Sequence, residues 1–317
     1  SRAYYPHTWN ALLIGTAMLV SVTAALTVMP ALALKFRPRF IFNGAKNMKL
    51  SPAAATTIAV AVVAVLSFGQ SNSAYAITPV EIMEKNFMVA KIADTTTQTT
   101  MTLTNKSGQK RVRKTAGVSN LEPNGIDNKR MRRFLEPADV KGTVSLLSEH
   151  SDKDDDIWIY LPSIKKVRRL VSSNKKDSFV GTDFSYGDVI GHKVNEWTHK
   201  LIKEEDVEGK MAYVIESLPR DAAIKANSGY SKRMNWIQKD NFVTLKGMQY
   251  DEAGELVKES RFGRFRNVDA AKGKWLTGEL TVKNVQTEHT THIYTDDLKY
   301  NIGVKDDYFT TRYMEQQ

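Results

Sequence analysis

Cysteine is absent from this sequence of 317 residues. Its absence excludes disulfides, thiolate metal sites and cysteine nucleophiles in one step. Sulfur-based catalysis and thiolate-bound metals are therefore outside the range of functions to consider.

Acidic residues are absent from the first quarter of the chain. Residues 1–76 contain no Asp or Glu and six Lys or Arg, whereas residues 77–317 hold all 35 acidic residues and 39 of the 45 basic ones. The net charge of +10 thus divides into +6 and +4, so the second part is only mildly basic. The chain consists of two parts with different composition.

Recognisable catalytic and nucleotide-binding motifs are also lacking. The sequence contains no G-x-S-x-G, no P-loop and no dinucleotide fingerprint, and its six His residues show no triad pattern. Triads are assembled in space, so an enzyme is not excluded, but no residue pattern recommends one. We expect a protein without enzyme activity and without a cofactor.

Two short runs have some features of metal sites. His289 and His292 stand three apart, but in a β-rich stretch an odd spacing sends them to opposite faces. The acidic run at residues 152–156 begins like a calcium loop, yet Ile157 and Ser163 occupy the positions that require Gly and Glu. The sequence therefore predicts no metal site.

The N-terminal part contains a run of 27 uncharged residues from Thr8 to Leu34. This length is enough to cross a membrane, which needs about 20 helical residues. The alternative is a buried helix of a soluble domain, although such helices seldom run this long without a polar face. Five Lys or Arg residues follow within residues 35–49, and this excess of positive charge predicts a helix that runs from outside to inside.

Residues 48–76 have the pattern of a bacterial signal peptide. Met48 and Lys49 precede an apolar run over residues 50–69, and the segment ends in Ala-Tyr-Ala at residues 74–76. The segment is either a cleaved signal peptide or a second membrane helix. Both place Ile77 onward outside the inner membrane, so nucleic-acid binding is not expected. A cleaved product would be soluble, because no cysteine is present to carry a lipid anchor; a product that retains residues 1–76 would be tethered.

The remainder, residues 77–317, is predicted to be one mainly β domain. Thr78, Pro79 and Glu81 form a helix start that predicts an amphipathic helix over residues 78–93. Short β-rich runs separated by turn residues then predict a large antiparallel sheet, curved or closed, and a short helix ends the chain. The runs are 97–104, 109–115, 129–136, 142–148, 156–161, 165–172, 197–205, 210–217, 232–238, 242–250, 255–266, 274–285 and 289–297.

Large apolar side chains recur at alternating positions of these strands. The inner face they form is either ordinary core covered by helices or the wall of a ligand cavity, and the pattern alone does not decide between them. The candidate cavity residues are Met101, Leu103, Phe134, Leu146, Trp158, Ile159, Trp236 and Phe242.

Two dense basic stretches stand out. They either solubilise exposed strands or meet anionic groups, which would be lipid head groups or an acidic surface of a membrane partner. The residues concerned are Arg130, Arg132, Arg133, Lys165, Lys166, Arg168 and Arg169.

Residues 130–189 resemble the bacterial LolA-like outer-membrane lipoprotein-sorting proteins. The most specific stretches are "RFLEPADVKGT", "WIYLPSIKKVRRL" and "SFVGTDFSYGDV", in that order. The resemblance implies a curved, unclosed antiparallel half-barrel whose apolar concave face is plugged by helices. It also implies a mechanism in which acyl chains enter the concavity as the helices shift.

The first 42 residues resemble the last transmembrane helix and basic tail of an RND exporter of the MMPL type. Residues 1–47 are accordingly interpreted as the C-terminal end of an exporter. They are either truly fused to the exported protein that begins at Met48, or they belong to the sequence only because its start is placed too far upstream. Together the resemblances imply a periplasmic carrier in a Gram-negative bacterium. It would move lipid or lipoprotein acyl chains from the exporter toward an outer-membrane acceptor. The alternative is a lipid-sensing or interaction module that regulates a membrane partner.

Overall fold

The computed structural model describes residues 77–316. The two hydrophobic segments and the proposed exporter-like tail lie outside the described residues. No helix between residues 77 and 316 is long and apolar enough to cross a membrane. The α-helices are α1 Pro79–Val89, α2 Tyr186–Ile190, α3 Ala222–Ser228 and α4 Thr311–Glu315. Short 3-10 helices cover Ser172–Lys176, Val194–Glu196 and Asp306–Tyr308.

Thirteen strands account for most of the described chain, as the alternating runs predict. They are β1 Asp94–Thr104, β2 Lys110–Leu121, β3 Asn128–Glu136, β4 Val144–Ser148, β5 Asp156–Leu161, β6 Lys166–Leu170, β7 Trp197–Val207, β8 Lys210–Pro219, β9 Lys232–Gln238, β10 Thr244–Tyr250, β11 Leu256–Asp269, β12 Lys274–Asn284 and β13 His289–Tyr300.

The strands form a single unclosed antiparallel sheet. Its order is β6-β5-β4-β3-β2-β1-β13-β12-β11-β10-β9-β8-β7. Consecutive strands are therefore adjacent except β6 and β7, and β1 pairs with β13 where the two halves meet. Strands β6 and β7 are the two edges. Residues 171–196, which we call the strap, connect these edges.

Helix α1 begins where the sequence predicts. The Thr78 hydroxyl accepts from the Glu81 amide at 3.2 Å, and the Glu81 carboxylate accepts from the Thr78 amide at 2.7 Å. This reciprocal capping satisfies two amides that a helix start leaves free. The helix ends at Val89 rather than near Ala93, because Ala90 leaves the helical conformation and the next side chain, Lys91, turns into the protein.

The strap and α1 cover the same face of the sheet, the inner face. Apolar strap residues pack on strands of both halves in one buried cluster, and α1 packs on β8 and β9 in another. The first cluster contains Met101, Leu103, Phe134, Val140, Leu147, Ile157, Ile159, Phe179, Phe184, Tyr186, Ile190 and Val282; the second contains Ile82, Met83, Ile215 and Ile237.

The opposite face, the outer face, is covered beside β3 to β6 by the C-terminal segment. Phe309 and Met314 are buried there against Met131, Val144 and Tyr160. The short helix predicted at the end of the chain is present as α4, and its N-terminus is capped by the Thr310 hydroxyl. The inner face is thus covered by α1 and the strap, whereas α4 lies on the outer face.

Candidate functional site

A cavity on the inner face lies between α1 and the strap. It has a volume of about 430 Å³, within the range of about 300–1,000 Å³ that is typical of ligand pockets. We call it the apolar cavity. Its apolar lining residues are Phe87, Met88, Ile126, Ile190 and Val194, and its polar lining residues include Glu84, Asp127, Glu149, His150 and Asp155.

One buried carboxylate ties both covering elements to the sheet at this cavity. Glu149 accepts hydrogen bonds from Lys91, just beyond α1, and from Arg130 on β3. Arg130 also donates to the Val189 and Ile190 carbonyls of the strap, at 2.7 and 3.0 Å. Burial and the neighbouring Arg130 lower the pKa of Lys91 to about 7, so this ammonium is held at a substantial desolvation cost.

A second cavity of about 240 Å³ lies next to the apolar cavity. Both are lined by Phe87, Gly191, His192 and Val194, so they share a wall made by α1 and the strap. We call the second one the polar chamber, because side chains of β9, β10 and β11 give it a polar floor. Those side chains belong to Arg233, Asn235, Gln249, Lys258 and Ser260.

An acidic residue of the strap anchors the chamber. Asp188 accepts from the Lys258 ammonium at 2.8 Å and from the Tyr230 hydroxyl at 2.9 Å. The attraction of Lys258 outweighs burial and keeps the pKa of Asp188 far below its usual value. Burial, followed by the charge of Arg233, lowers the pKa of His192 to about 4. Asp188 is therefore ionised at neutral pH and His192 is neutral.

A third cavity, of about 220 Å³, contains Arg132. Its guanidinium donates to the hydroxyls of Thr99 and Thr115, at 2.9 and 3.0 Å, and no carboxylate pairs with it among residues 77–316. Burial alone lowers its pKa to about 10. Arg132 is thus a cation held on the inner face by neutral partners.

The structure brings together four of the eight predicted cavity residues. Met101, Leu103, Phe134 and Ile159 lie in the buried cluster beneath the strap. Whether they contact a ligand stays a prediction.

The other four lie elsewhere. Leu146 and Trp158 pair with each other and point to the outer face, under the C-terminal segment. Trp236 belongs to a separate cluster in which Lys246 stands 4.5 Å above its ring centroid. Phe242, with a left-handed φ of 59°, follows β9 and packs beside α1.

The predicted basic residues lie in three different places. Arg130 and Arg132 face inward, and Arg133, on the outer face, donates to the Tyr313 carbonyl of α4 at 3.2 Å. The remaining four are exposed at β6 and the turn before it, where Arg169 pairs with Asp156 of β5; these four are Lys165, Lys166, Arg168 and Arg169. The seven residues therefore do not form one docking surface.

The two histidines of β13 lie on opposite faces, as their spacing predicts. His289 contacts Asp183 of the strap at 2.7 Å, and His292 contacts Glu279 of β12 at 2.7 Å. Among residues 77–316, no group of three or more His, Asp or Glu is arranged to hold a metal ion. In the acidic run, Asp155 pairs with Lys175, and Asp156 with His150 and Arg169.

Sequence reasoning missed the polar chamber, although the sequence contains a signal for it. The stretches R-M-N at 233–235, G-M-Q at 247–249 and K-E-S at 258–260 each place polar or small residues two apart, on one face of a strand. The three strands are neighbours in the sheet. The site can be recognised only when the pairing of β9, β10 and β11 is known, because that pairing places the three stretches side by side.

Comparisons with known proteins agree with this architecture. A family whose description is only "Uncharacterized protein" matches residues 126–316, which is more than half of the chain. No curated protein matches the sequence.

Solved structures from three bacteria are similar to the chain. A domain described as an outer-membrane lipoprotein-sorting protein from Vibrio parahaemolyticus has 28% identity and a TM-score of 0.69, with 75% of this chain and 98% of that chain covered. A DUF1329 family protein from Desulfovibrio piger has 29% identity and a TM-score of 0.68, with 74% and 97% covered. A LolA superfamily protein from Nitrosomonas europaea has 20% identity, a TM-score of 0.57, and 75% and 100% covered, and supports the fold alone. The chain therefore belongs to the matched family of uncharacterized proteins, and its described part has the LolA-like, outer-membrane lipoprotein-sorting fold found in the DUF1329 family.

Proposed function

We propose that the protein is a periplasmic carrier that binds lipid or lipidated cargo on the inner face of its sheet. The observation that carries the proposal is the apolar cavity between α1 and the strap, on a sheet whose two edges remain open. The related structure from Vibrio, which is named for lipoprotein sorting, supports it. The proposed role is non-enzymatic.

Burial of an acyl chain supplies enough free energy for capture. Each CH₂ group removed from water contributes about 0.8 kcal/mol, so a chain of a dozen carbons contributes roughly 10 kcal/mol before ordering costs. The apolar cavity alone is small, and more inner face becomes accessible if α1 moves. Release then requires a receiving membrane or protein that offers the chain an equally apolar environment.

Helix α1 is the proposed movable cover. Its polar ties to the sheet are few: Asn86 donates to the Phe242 carbonyl at 2.7 Å and to Thr244 at 2.9 Å, and Lys274 donates to the Met88 carbonyl at 2.7 Å. The strap, by contrast, accepts hydrogen bonds from Arg113, Arg130 and Lys258 of the sheet. It also buries four aromatic or large aliphatic side chains in the main cluster, against three buried apolar side chains on α1. Displacement of α1 exposes the inner face at a lower cost than displacement of the strap.

The proposed route runs from an inner-membrane RND exporter of the MMPL type to an outer-membrane acceptor. It is supported by the exporter-like residues 1–42 and by the signal-peptide pattern of residues 48–76. If residues 1–76 are retained, the carrier is tethered at the inner membrane.

The test is extraction of bound lipid from protein purified from the periplasm, followed by mass spectrometry. We expect near-stoichiometric acyl chains. Met88→Trp fills the apolar cavity and is expected to reduce the bound lipid at least severalfold, whereas the same substitution at Met211, which is exposed on β8, leaves it unchanged. An empty protein that instead binds the periplasmic domain of a regulator would contradict the carrier proposal and favour the sensor alternative.

A further inference from the structure

The polar chamber concentrates buried polar atoms that lack partners. Eight buried side-chain nitrogen or oxygen atoms in residues 77–316 form no hydrogen bond, and five of them line this cavity. They are His192 Nε2, Arg233 Nε, Asn235 Nδ2, Gln249 Oε1 and Ser260 Oγ. Because such atoms cost free energy when left unpaired, their convergence on one cavity indicates a ligand that pairs with them.

Strand pairing sets these groups in two rows across β9, β10 and β11. Arg233, Gln249 and Lys258 form one row, and Asn235, Gly247 and Ser260 form the other. Glycine in the middle of the second row leaves room above the sheet. A Cβ atom there would stand 2.5 Å from Ser260 Oγ and 3.5 Å from Asn235 Oδ1.

Three of the five unmet atoms are free to donate, whereas Gln249 Oε1 can only accept and His192 Nε2 lies 3.6 Å from Asp188 Oδ1. Arg233 Nε and Asn235 Nδ2 can only donate, and the Ser260 hydroxyl can donate to any acceptor placed above Gly247. Asn235 and Ser260 are 6% and 3% exposed, so water reaches them only through the chamber. A ligand group with several acceptor oxygens fits this arrangement.

The charged groups that line the chamber also favour an anionic ligand. Four titratable groups line the chamber: Asp188, His192, Arg233 and Lys258. Lys258 is paired with Asp188, and His192 is neutral at pH 7. Arg233 forms no hydrogen bond or ion pair with the described residues and stacks only on Trp197, with its guanidinium carbon 5.3 Å from the ring centroid. Asp188 is the one acidic group of this lining and attracts both Lys258 and Arg233, so the chamber has one more positive charge than negative charges.

We infer that the polar chamber binds one anionic group, a carboxylate or a phosphate, through Arg233, Asn235 and Ser260. This inference rests on the proposed function, because the chamber shares a wall with the apolar cavity. An amphiphile can therefore place its chain between α1 and the strap and its head group in the chamber. Charge-assisted hydrogen bonds from the half-buried Arg233 then select anionic amphiphiles over neutral ones.

The test compares dodecanoate with dodecanol, which has the same chain and a neutral head group, by isothermal titration calorimetry on the delipidated protein. We expect dodecanoate to bind about ten- to a hundredfold more tightly. Arg233→Gln removes this preference and leaves the affinity for dodecanol unchanged. Arg266→Gln, at an exposed position of β11, retains the preference.

Ser260→Ala serves as a nearly isosteric second variant. It is expected to lower dodecanoate affinity about five- to tenfold, also with dodecanol unaffected. Inorganic phosphate is titrated alone to identify the source of the anion: binding that Arg233→Gln abolishes supports a free phosphate as the occupant, and binding of dodecanoate alone supports a head group.

The outcomes separate this inference from the proposed function. Equal affinities for dodecanoate and dodecanol in the wild type overturn the anion site and leave the carrier intact. No binding of either amphiphile contradicts the carrier itself. A crystal of the dodecanoate complex with only water in the chamber, or equal effects of Ser260→Ala and Arg266→Gln, also overturns the anion site.

Discussion

Replacement of Ile82 by alanine measures how firmly α1 is held on the inner face. Ile82 is fully buried and packs in one cluster with Ile215 and Ile237, which are also fully buried. The substitution removes three carbon groups, which are worth about 2.4 kcal/mol at about 0.8 kcal/mol each. The cavity left behind adds to this loss, and the better helix propensity of alanine offsets a few tenths. We expect the free energy of unfolding to fall by about 3 kcal/mol.

Urea denaturation followed by far-UV circular dichroism gives this number directly. Val80→Ala is the matched control, because Val80 lies on the same helix with 44% of its surface exposed. Its effect is expected within about 0.5 kcal/mol of zero. A loss below about 1 kcal/mol for Ile82→Ala, or equal losses for the two variants, would refute the packing of α1 on β8 and β9.

The same variants test whether α1 is the cover of the cavity. A helix held less firmly opens more often, so Ile82→Ala is expected to accelerate uptake of the fluorescent probe N-phenyl-1-naphthylamine severalfold, with no change for Val80→Ala. Loss of stability without faster uptake would show that another element, such as the strap, controls entry.

Two further variants test the charges of the inner face. The folded protein lowers the pKa of Lys91 from 10.5 to about 7, so the unfolded chain binds more protons between these values and stability rises with pH across that window. The free energy of unfolding of the wild type should therefore rise by about 2 kcal/mol between pH 7 and 9, and Lys91→Met should remove this rise. A wild-type stability that instead falls over this range relative to the variant would mean that Glu149 keeps the ammonium charged. Arg132→Met removes a half-buried cation that has no ion-pair partner among residues 77–316, and it leaves Thr99 and Thr115 bonded to each other at 2.5 Å. We expect stability equal to wild type or about 1 kcal/mol higher. A loss above about 2 kcal/mol would show that the arginine stabilises the fold.

Strand and helix starts were predictable because they depend on local chemistry. The capping residues Thr78 and Glu81 form the reciprocal hydrogen bonds that their spacing predicts, and turn residues separate the runs that become the thirteen strands. The five-residue α2 and seven-residue α3 were not predicted, because such short helices carry too few residues for a hydrophobic period to appear.

The sequence predicted less well which strand side chains point to the inner face and which to the outer face, for a physical reason. All five residues of β4 are buried, because the strap covers one face and the C-terminal segment the other. Alternation therefore carries no information for Leu146, and in β5 the apolar residues Trp158 and Ile159 point to opposite faces. Only the covering segments, which are distant in sequence, distinguish the inner face from the outer one.

The central claim is that an acyl chain occupies the space between α1 and the strap. Photo-crosslinking with a dodecanoate analogue that carries a diazirine near its terminal methyl group tests it most directly, with adducts located by peptide mass spectrometry. The account predicts adducts at Phe87, Met88 and Ile190, which line the apolar cavity. Adducts concentrated on the outer face, at residues such as Trp158 or Tyr313, or no labelling above that of a short-chain diazirine, would contradict it.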